Sequence, residues 1–277
     1  YTDFLNAVDP NGTNPYGIYI DSMATNNTMK GILFSAGAAS GQKYSPIGSA
    51  ARPITLVSWF SAARFANWMQ NGQGSGSTET GAYTLGGATS GNAVARNPGA
   101  TFSIPTENEW YKAAYYSPVK GGVGSPGYYA YATQSDSAPG NVVGPAANQA
   151  NSYTGVFSVT QSASYDTSQT YLTDVGAFTN SASYYGTFDQ SGNVYQWNDL
   201  DGTAGPSRGT RGGSWDYSPS AMSSSSSDLQ SPSAYGRDLG FRLASPAAVP
   251  EPSTWFMALA GLACGGWWVS RRRRGPV

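Results

Sequence analysis

Paired aspartates are the residues of this chain whose types best suit catalysis. Asp199 and Asp201 lie close together in the sequence, and Asp216 and Asp228 flank a serine-rich stretch. Two carboxylates held near one another can supply the acid and the base of a hydrolytic reaction. Nothing in the spacing singles out either pair, and aspartates in solvated turns are far more common than catalytic ones. Hydrolysis therefore stands as one alternative function.

Other catalytic residue types are scarce. The chain has no histidine, and its single cysteine, Cys264, lies in an apolar C-terminal stretch. This composition excludes Ser-His-Asp and Cys-His catalysis, histidine and thiolate zinc sites, and internal disulfides. A serine–lysine pair stays formally open, and the lysines that could serve are Lys30, Lys43, Lys112 and Lys120.

A serine-rich stretch late in the chain is a candidate binding surface. Residues 211–229, RGGSWDYSPSAMSSSSSDL, combine a glycine turn with aromatic residues and a run of serines. Serine offers adaptable hydrogen bonds and tyrosine offers flat contact area, which is the composition that binding loops favour. We predict a ligand face here, with a solvated polar loop as the alternative. Its predicted residues are Tyr217, Ser223, Ser224 and Tyr235.

Three helices and many turns are predicted to position these residues. The 277 residues include 35 glycines and 17 prolines and are 39% hydrophobic, which indicates one substantial core with long loops. Helices are predicted at YTDFLNAV, with Thr2 as N-cap, and at SWFSAARFANWMQNG, with Ser58 as N-cap. A third, PTENEWYKAAYY, carries a capping box of Thr106 and Glu109. GTFDQ and LGFRLA are the strand candidates.

The C-terminal residues predict a membrane segment. Residues 254–269, TWFMALAGLACGGWWV, are uncharged and apolar, and at about 1.5 Å per residue they extend roughly 24 Å, somewhat less than the ~30 Å hydrocarbon layer. We expect this transmembrane helix to insert with its basic end in the cytoplasm and the rest of the chain outside. The basic residues are Arg271, Arg272, Arg273 and Arg274.

The tail also resembles a known sorting signal. The triplet Pro250, Glu251 and Pro252 precedes the apolar run and the arginines, and the three features in this order resemble the PEP-CTERM signal of Gram-negative bacteria. The resemblance implies an exosortase as partner and an extracytoplasmic place in the cell envelope. A plain C-terminal anchor is the alternative, and whether the tail is cleaved stays open.

The charge of the exported part argues against nucleic acid as a partner. Removing the four C-terminal arginines and Glu251 from the totals of 15 basic and 16 acidic residues leaves 11 and 15. A net charge near −4 would repel a phosphate backbone.

Four stretches in order resemble the formylglycine-generating enzyme, or sulfatase-modifying factor, domain. They are ITLVSWFSAARFANWM, FSIPTENEWYKAAYY, YGTFDQSGNVYQWND and RGTRGGSW with LGFRLA. The resemblance implies a loop-rich α+β fold related to C-type lectins, as a single domain over residues 1–245, with a linker at 246–250 and the sorting segment at 250–277. Because the family usually begins a strand or two earlier, we expect the natural start to be missing ahead of Tyr1.

The resemblance does not carry the family's oxidation chemistry to this chain. Family oxidases act with copper through two cysteines after the Arg-Gly-Gly-Ser turn, and those positions hold Tyr217 and Met222 here. These side chains cannot form a bis-thiolate copper site, so we do not expect copper or sulfatase oxidation. A second, iron-dependent branch of the family uses histidines that this chain lacks.

Structural calcium is the other property that the resemblance implies. One site would use the Asp189 side chain, the Gly192 and Val194 carbonyls and the Gln196 side chain, where the family usually has glutamate. Losing that charge predicts weaker binding. A second site would use the Asn151 side chain, the Ser152 carbonyl and Asp166.

Taken together, these patterns predict an exported, envelope-tethered, non-catalytic domain that binds a glycan or a protein of the envelope or matrix. The alternatives are an enzyme, either of the formylglycine-generating family or with hydrolytic chemistry, and a purely structural envelope protein.

Overall fold

The computed structural model describes residues 1–245, in which short helices and strands alternate with long ordered loops. The helices are α1 (Thr2–Val8), α2 (Ser22–Thr25), α3 (Trp59–Gln70) and α4 (Glu107–Tyr115), with a 3₁₀ turn at Pro219–Met222. The strands are β1 (Ile32–Phe34), β2 (Tyr44–Pro46), β3 (Tyr116–Ser117), β4 (Gly127–Tyr128), β5 (Tyr195–Asn198), β6 (Arg208–Arg211), β7 (Asp228–Gln230) and β8 (Leu239–Gly240).

A four-stranded sheet in the order β7-β6-β5-β8 organises the C-terminal half. β6 is antiparallel to both β5 and β7, and it is buried along its whole length. β8 runs parallel to β5, with Tyr195 opposite Leu239. This pairing brings residues from three distant stretches of the chain, at positions 195, 210 and 228, to one end of one sheet.

The two longer helices begin where their capping residues predict. The Ser58 side chain accepts a hydrogen bond from the Ser61 amide at the start of α3. Thr106 and Glu109 form a reciprocal capping box at α4, with each side chain bound to the other residue's amide. Such caps satisfy the free amides of a first helical turn, and each contributes about 1 kcal/mol.

The glycine turn of RGGSW is required by close packing. Gly212 and Gly213 both have positive φ, at 98° and 67°, a region that L side chains rarely adopt. A Cβ on Gly213 would lie 2.7 Å from Cγ of Met222. The turn therefore holds Trp215 and Met222, both fully buried, against the core.

Some sequence predictions of local structure were wrong. The N-cap of α1 is Tyr1, not Thr2. GTFDQ is not a strand, because Gly186 and Asp189 both have positive φ and the chain turns there. In LGFRLA only the first two residues form a strand, although Ala244 makes an isolated bridge with Ser103.

Within residues 1–245, no helix is both long and apolar enough to cross a membrane. The predicted linker at 246–250, the triplet at 250–252, the apolar run at 254–269 and Arg271–Arg274 lie outside the described residues.

Candidate ligand-binding groove

Asp199, one of the predicted catalytic aspartates, belongs to the scaffold. It is completely buried and accepts hydrogen bonds from Trp59 Nε1 at 2.6 Å and from the Tyr83 hydroxyl at 2.5 Å. Arg208 Nε lies 3.3 Å from the same carboxylate. Burial raises the pKa of Asp199, and the three donors oppose that rise. The carboxylate connects α3 to β6, and it lines neither of the two depressions described below.

The other predicted acid–base residues are also engaged. Asp201 is exposed and accepts from the Thr203 amide and hydroxyl. Asp216 forms an ion pair with Arg237 at 2.7 Å. The Asp228 carboxylate accepts from the Leu229 amide and the Gln230 side chain. None of these contacts joins one aspartate of a predicted pair to the other.

The tyrosine cavity, an open depression of about 230 Å³, lies at the end of the sheet where β5, β6, β7 and β8 meet. Tyr195 and Tyr217 form one wall, with their rings in edge-to-face contact at 5.2 Å. Tyr217 and Tyr235 are 47% and 57% exposed, so their rings are available to a ligand. The remaining lining residues include Thr210, Asp228, Gln230, Asp238 and Leu239.

The electrostatics of the tyrosine cavity are acidic. Its charged lining residues are Asp228 and Asp238, and neither lysine nor arginine is among the residues that line it. Burial, and then the nearby charge of Asp216, raise the pKa of Asp238. Burial likewise raises the pKa of Tyr195 to about 12, so its hydroxyl is neutral and can donate at physiological pH.

A second depression, the aromatic shelf, lies beside this cavity and measures about 280 Å³. The Trp215 ring lies beneath it, stacked on Tyr171 at 4.8 Å and 11°. The Tyr165 ring is nearly parallel to the Trp215 ring, with centroids 6.2 Å apart. The guanidinium of Arg237 lies 5.3 Å from the Trp215 ring, within cation–π range. The shelf is lined by Tyr153, Phe157, Tyr165, Trp215, Asp216 and Arg237.

The two depressions adjoin. Residues 215–217 and 235–238 contribute to both, with Trp215, Asp216 and Arg237 on the shelf and Tyr217, Tyr235 and Asp238 in the cavity. The Asp216–Arg237 ion pair joins these two segments. We call the cavity and the shelf together the groove.

The predicted ligand face is only partly brought together. Tyr217 and Tyr235 both line the tyrosine cavity, but Ser223 and Ser224 do not. The backbone of the serine run instead holds Arg211, whose Nη1 donates to the carbonyls of Ser224 and Ser226. Sequence reasoning also missed Tyr195, Asp238, Tyr165 and Arg237, because they reach the groove only through long-range pairing of β5 with β8 and through loop packing.

The four candidate lysines contact other residues of the scaffold. Lys30 Nζ donates to Asn27 Oδ1 at 2.9 Å, and Lys112 Nζ lies 5.5 Å from the centroid of the Tyr116 ring. Lys43 Nζ donates to the Ala36 and Ala38 carbonyls, and Lys120 Nζ pairs with Asp136 at 2.8 Å. None of the four lysines lines the groove.

The first predicted calcium loop does not fit a cation in this arrangement. Gln196 Oε1 accepts from Trp110 Nε1 at 2.9 Å and from Arg242 Nε at 2.5 Å. The Gln196 amide nitrogen donates to the Asp189 carbonyl. The orientation of the Gln196 amide is fixed, because its oxygen accepts from two donors and its nitrogen donates to an acceptor. The oxygen that would bind calcium is therefore already used.

Arg242 supplies the positive charge of this loop. Its Nη2 donates to the Phe188 carbonyl at 2.8 Å, and burial lowers the pKa of its guanidinium to about 10, which keeps it charged at pH 7. Asp189 accepts from the Gly176 amide at 2.7 Å. The carbonyl of Gly192 accepts from the Val194 amide. A calcium ion in this loop would therefore lie close to the positively charged guanidinium of Arg242.

The residues of the second predicted calcium site are not arranged as one ligand set. Asn151 and Ser152 are buried, and the Ser152 carbonyl accepts from the Asn141 side chain. Asp166 is exposed, and its carboxylate accepts from the amide and hydroxyl of Ser168. Across residues 1–245, no group of three or more His, Cys, Asp or Glu side chains could hold a metal.

With the geometry described, the comparisons with known proteins identify the family. The family model of the sulfatase-modifying factor enzyme 1-like domain matches residues 3–247. The chain belongs to this family. The match confirms the resemblance drawn from the four motifs, and the mixed helix and sheet content agrees with the α+β fold that the family implies.

The PEP-CTERM protein-sorting motif matches residues 248–274. This match confirms the sorting signal, and it implies exosortase-mediated sorting and export to the extracytoplasmic envelope. No curated protein matches the chain significantly.

Several solved structures are similar. CarF is 25% identical over 72% of this chain and 69% of its own, with a TM-score of 0.43. Treponema denticola variable protein 1 is 22% identical over 80% and 78%, with a TM-score of 0.46. PvdO from Pseudomonas aeruginosa is 19% identical over 72% and 64%, with a TM-score of 0.40.

The two positions that the resemblance predicts to correspond to the family's cysteines lie in different environments. Tyr217 is half exposed in the wall of the tyrosine cavity, whereas Met222 is fully buried beneath Gly213. The thioether has no access to the groove, so the two side chains do not face a common ligand.

Proposed function

We propose that this sulfatase-modifying-factor-like domain is a non-catalytic binding module that holds a glycan of the envelope or matrix in the groove. The observation that carries the proposal is the tyrosine cavity, where half-exposed aromatic rings stand beside hydrogen-bonding groups. Pyranose rings bind by stacking on aromatic faces while planar polar side chains orient their hydroxyls. The two depressions together make an elongated site, and such a shape suits several linked sugars.

The arrangement of the aspartates favours binding over hydrolysis. Asp216 is neutralised by Arg237, and Asp199 is buried among its donors. An acid–base pair needs two carboxylates that face one bond with different proton affinities. Neither predicted pair, Asp199 with Asp201 or Asp216 with Asp228, forms such an arrangement, and the replacement of both family cysteines removes the family's own chemistry.

Polysaccharide binding by the full chain in detergent micelles tests this proposal. The probes are immobilised dextran, alginate, chitin and chitosan, and we expect saturable binding to at least one of them. Replacing Tyr235 or Tyr217 by alanine is expected to weaken binding at least tenfold, about 1.4 kcal/mol, because the aromatic contact is lost.

The matched control is Tyr184→Ala. Tyr184 is 41% exposed, similar to Tyr217, but it lies outside the groove and its ring contacts Tyr185. It is expected to bind as the parent does. Equal binding by the Tyr217 and Tyr235 variants would move the site elsewhere, and no binding to any probe would reject a glycan ligand in favour of a protein ligand or a purely structural role.

We also propose that residues 254–269 anchor the domain in the membrane, with Arg271–Arg274 in the cytoplasm. The uncharged run and the adjacent arginines support this orientation. Replacing Pro250, Glu251 and Pro252 by alanine is expected to leave the chain membrane-bound in cell fractions if the triplet directs processing. Unchanged processing would contradict that role.

A further inference from the structure

The tyrosine cavity has a charge that is not needed to bind a neutral sugar. Its lining contains two carboxylates, on Asp228 and Asp238, and no basic side chain. A carboxylate beside apolar surface is unfavourable unless a cation or several donors compensate for lost hydration. The acidic lining of the cavity is therefore informative about the charge of the ligand.

Asp238 is the less compensated of the two. Its neighbour Arg237 directs its guanidinium to Asp216 at 2.7 Å instead. The Ser214 hydroxyl lies 3.5 Å from the Asp238 carboxylate but only 2.8 Å from Asp216. Asp238 lines the cavity. A backbone hydrogen bond, the nearby charge of Arg237 and the long Ser214 contact compensate its carboxylate only in part, because burial still raises its pKa.

Aromatic rings surround the same space. The Tyr195 and Tyr217 rings meet edge to face, and the Tyr235 ring is more than half exposed. An ammonium group is attracted to the face of an aromatic ring within about 6 Å. Aromatic faces and a carboxylate that the protein compensates only in part, together in one cavity, are complementary to a protonated amine.

We propose that the tyrosine cavity recognises a protonated amino group, so that the ligand is a glycan with free amines. The inference rests on the proposed glycan-binding function and names the class of sugar. Asp238 is the ion-pair partner, Asp228 adds long-range attraction, and the tyrosines contact the ring that carries the amine.

The aromatic shelf explains why an amino glycan fits better than a uniformly cationic chain. Arg237 lines the shelf, next in sequence to Asp238 of the cavity, and is exposed. Its positive charge repels a second ammonium at the shelf, although Asp216 reduces that effect. A neutral or N-acetylated ring can lie against Tyr165 there. A partly acetylated polymer of amino sugars satisfies both depressions.

Titration calorimetry with matched tetrasaccharides tests the amine directly. The full chain in micelles is titrated with the β-1,4-linked tetramer of glucosamine and with its fully N-acetylated form, below the pKa of the amines. We expect the free amine to bind at least tenfold more tightly, since a hydrogen bond between charged groups is stronger than one between neutral groups. In Asp238→Asn the preference is expected to fall below threefold.

Controls separate this inference from the proposed function. Asp201→Asn removes an exposed carboxylate outside the groove and is expected to keep the full preference. Equal affinity for both tetramers, with loss in Tyr235→Ala, would overturn the amine and leave glycan binding standing. Tetralysine bound as tightly as the glucosamine tetramer would overturn the glycan in favour of a basic peptide. No binding of either tetramer would overturn both proposals.

Discussion

The buried centre around Asp199 and the groove around Asp238 each contain a carboxylate, but in opposite environments. Asp199 is surrounded by an indole, a phenol and a guanidinium, each directed at its carboxylate. Asp238 lies beside tyrosines with its neighbouring arginine turned toward another residue. One carboxylate is satisfied within the protein, and the other is available to something outside it.

This difference shows how a loop-rich fold separates stability from binding. With few strands and short helices, loops must be fixed by side chains, and buried arginines bind carbonyls and carboxylates across the chain. Arg208, Arg211 and Arg242 all do so. A groove in which one carboxylate, that of Asp238, is only partly compensated is then less stable than it could be, which is common at functional sites.

The largest expected effect is the loss of Asp199. Asp199→Ala leaves Arg208 buried without its counter-ion and leaves the Trp59 and Tyr83 donors unpaired. Breaking a buried ion pair in this way costs about 3–5 kcal/mol, on the scale of the whole stability of many domains. Urea unfolding followed by tryptophan fluorescence measures it. Asp201→Ala is the neighbouring control, with an expected change below about 1 kcal/mol, and a similarly small change for Asp199→Ala would contradict the scaffold role.

Removing the charge of Asp238 is expected to raise the free energy of unfolding, whereas removing Asp199 lowers it. Because the pKa of Asp238 is raised in the folded protein, the folded state favours the neutral acid, and this contribution to stability is present at low pH and is lost as the pH rises through the folded-state pKa. Asp238→Asn removes the charge and is expected to stabilise the protein at pH 7 by about 0.5–1 kcal/mol.

Comparing parent and variant across pH sharpens this test. The stability advantage of Asp238→Asn over the parent should shrink as the pH falls below the folded-state pKa, where the parent's carboxyl is also neutral. Urea midpoints from pH 3 to 7 measure the difference. A variant that is less stable than the parent at pH 7 would show that Asp238 is compensated within the protein.

Features that depend on neighbours in sequence could be predicted, and those that depend on pairing could not. The caps at Ser58 and at Thr106 with Glu109 are local, so the sequence reveals them. Tyr217 and Tyr235 were predicted from composition and a nearby glycine turn. Asp238 enters the groove because β8 pairs in parallel with β5, and no local pattern encodes that register.

The serine run shows a further limit of sequence reasoning. Ser223 and Ser224 have the composition of a binding loop, yet the carbonyls of this run bind Arg211. Backbone carbonyls are available at every residue, so residue type carries no signal of their use. Composition points to this part of the chain, but it does not distinguish the tyrosines, which line the cavity, from the serines, which do not.

The smallest expected effect concerns calcium, and it tests whether the scaffold needs a cation from outside. Arg242 donates to Gln196 Oε1 and to the Phe188 carbonyl within the loop that the family resemblance assigns to calcium. Because that oxygen is already used, we expect the melting temperature in EDTA and in millimolar calcium to differ by less than about 1 °C, with magnesium as the ionic-strength control. A site saturated at 100 times its Kd would add about 2.7 kcal/mol, which for a domain of this size raises the melting temperature by several degrees. Such a rise, specific to calcium, would mean that Arg242 leaves the loop when the ion binds. This part of the scaffold would then need a charge from outside the protein, as we propose for the groove.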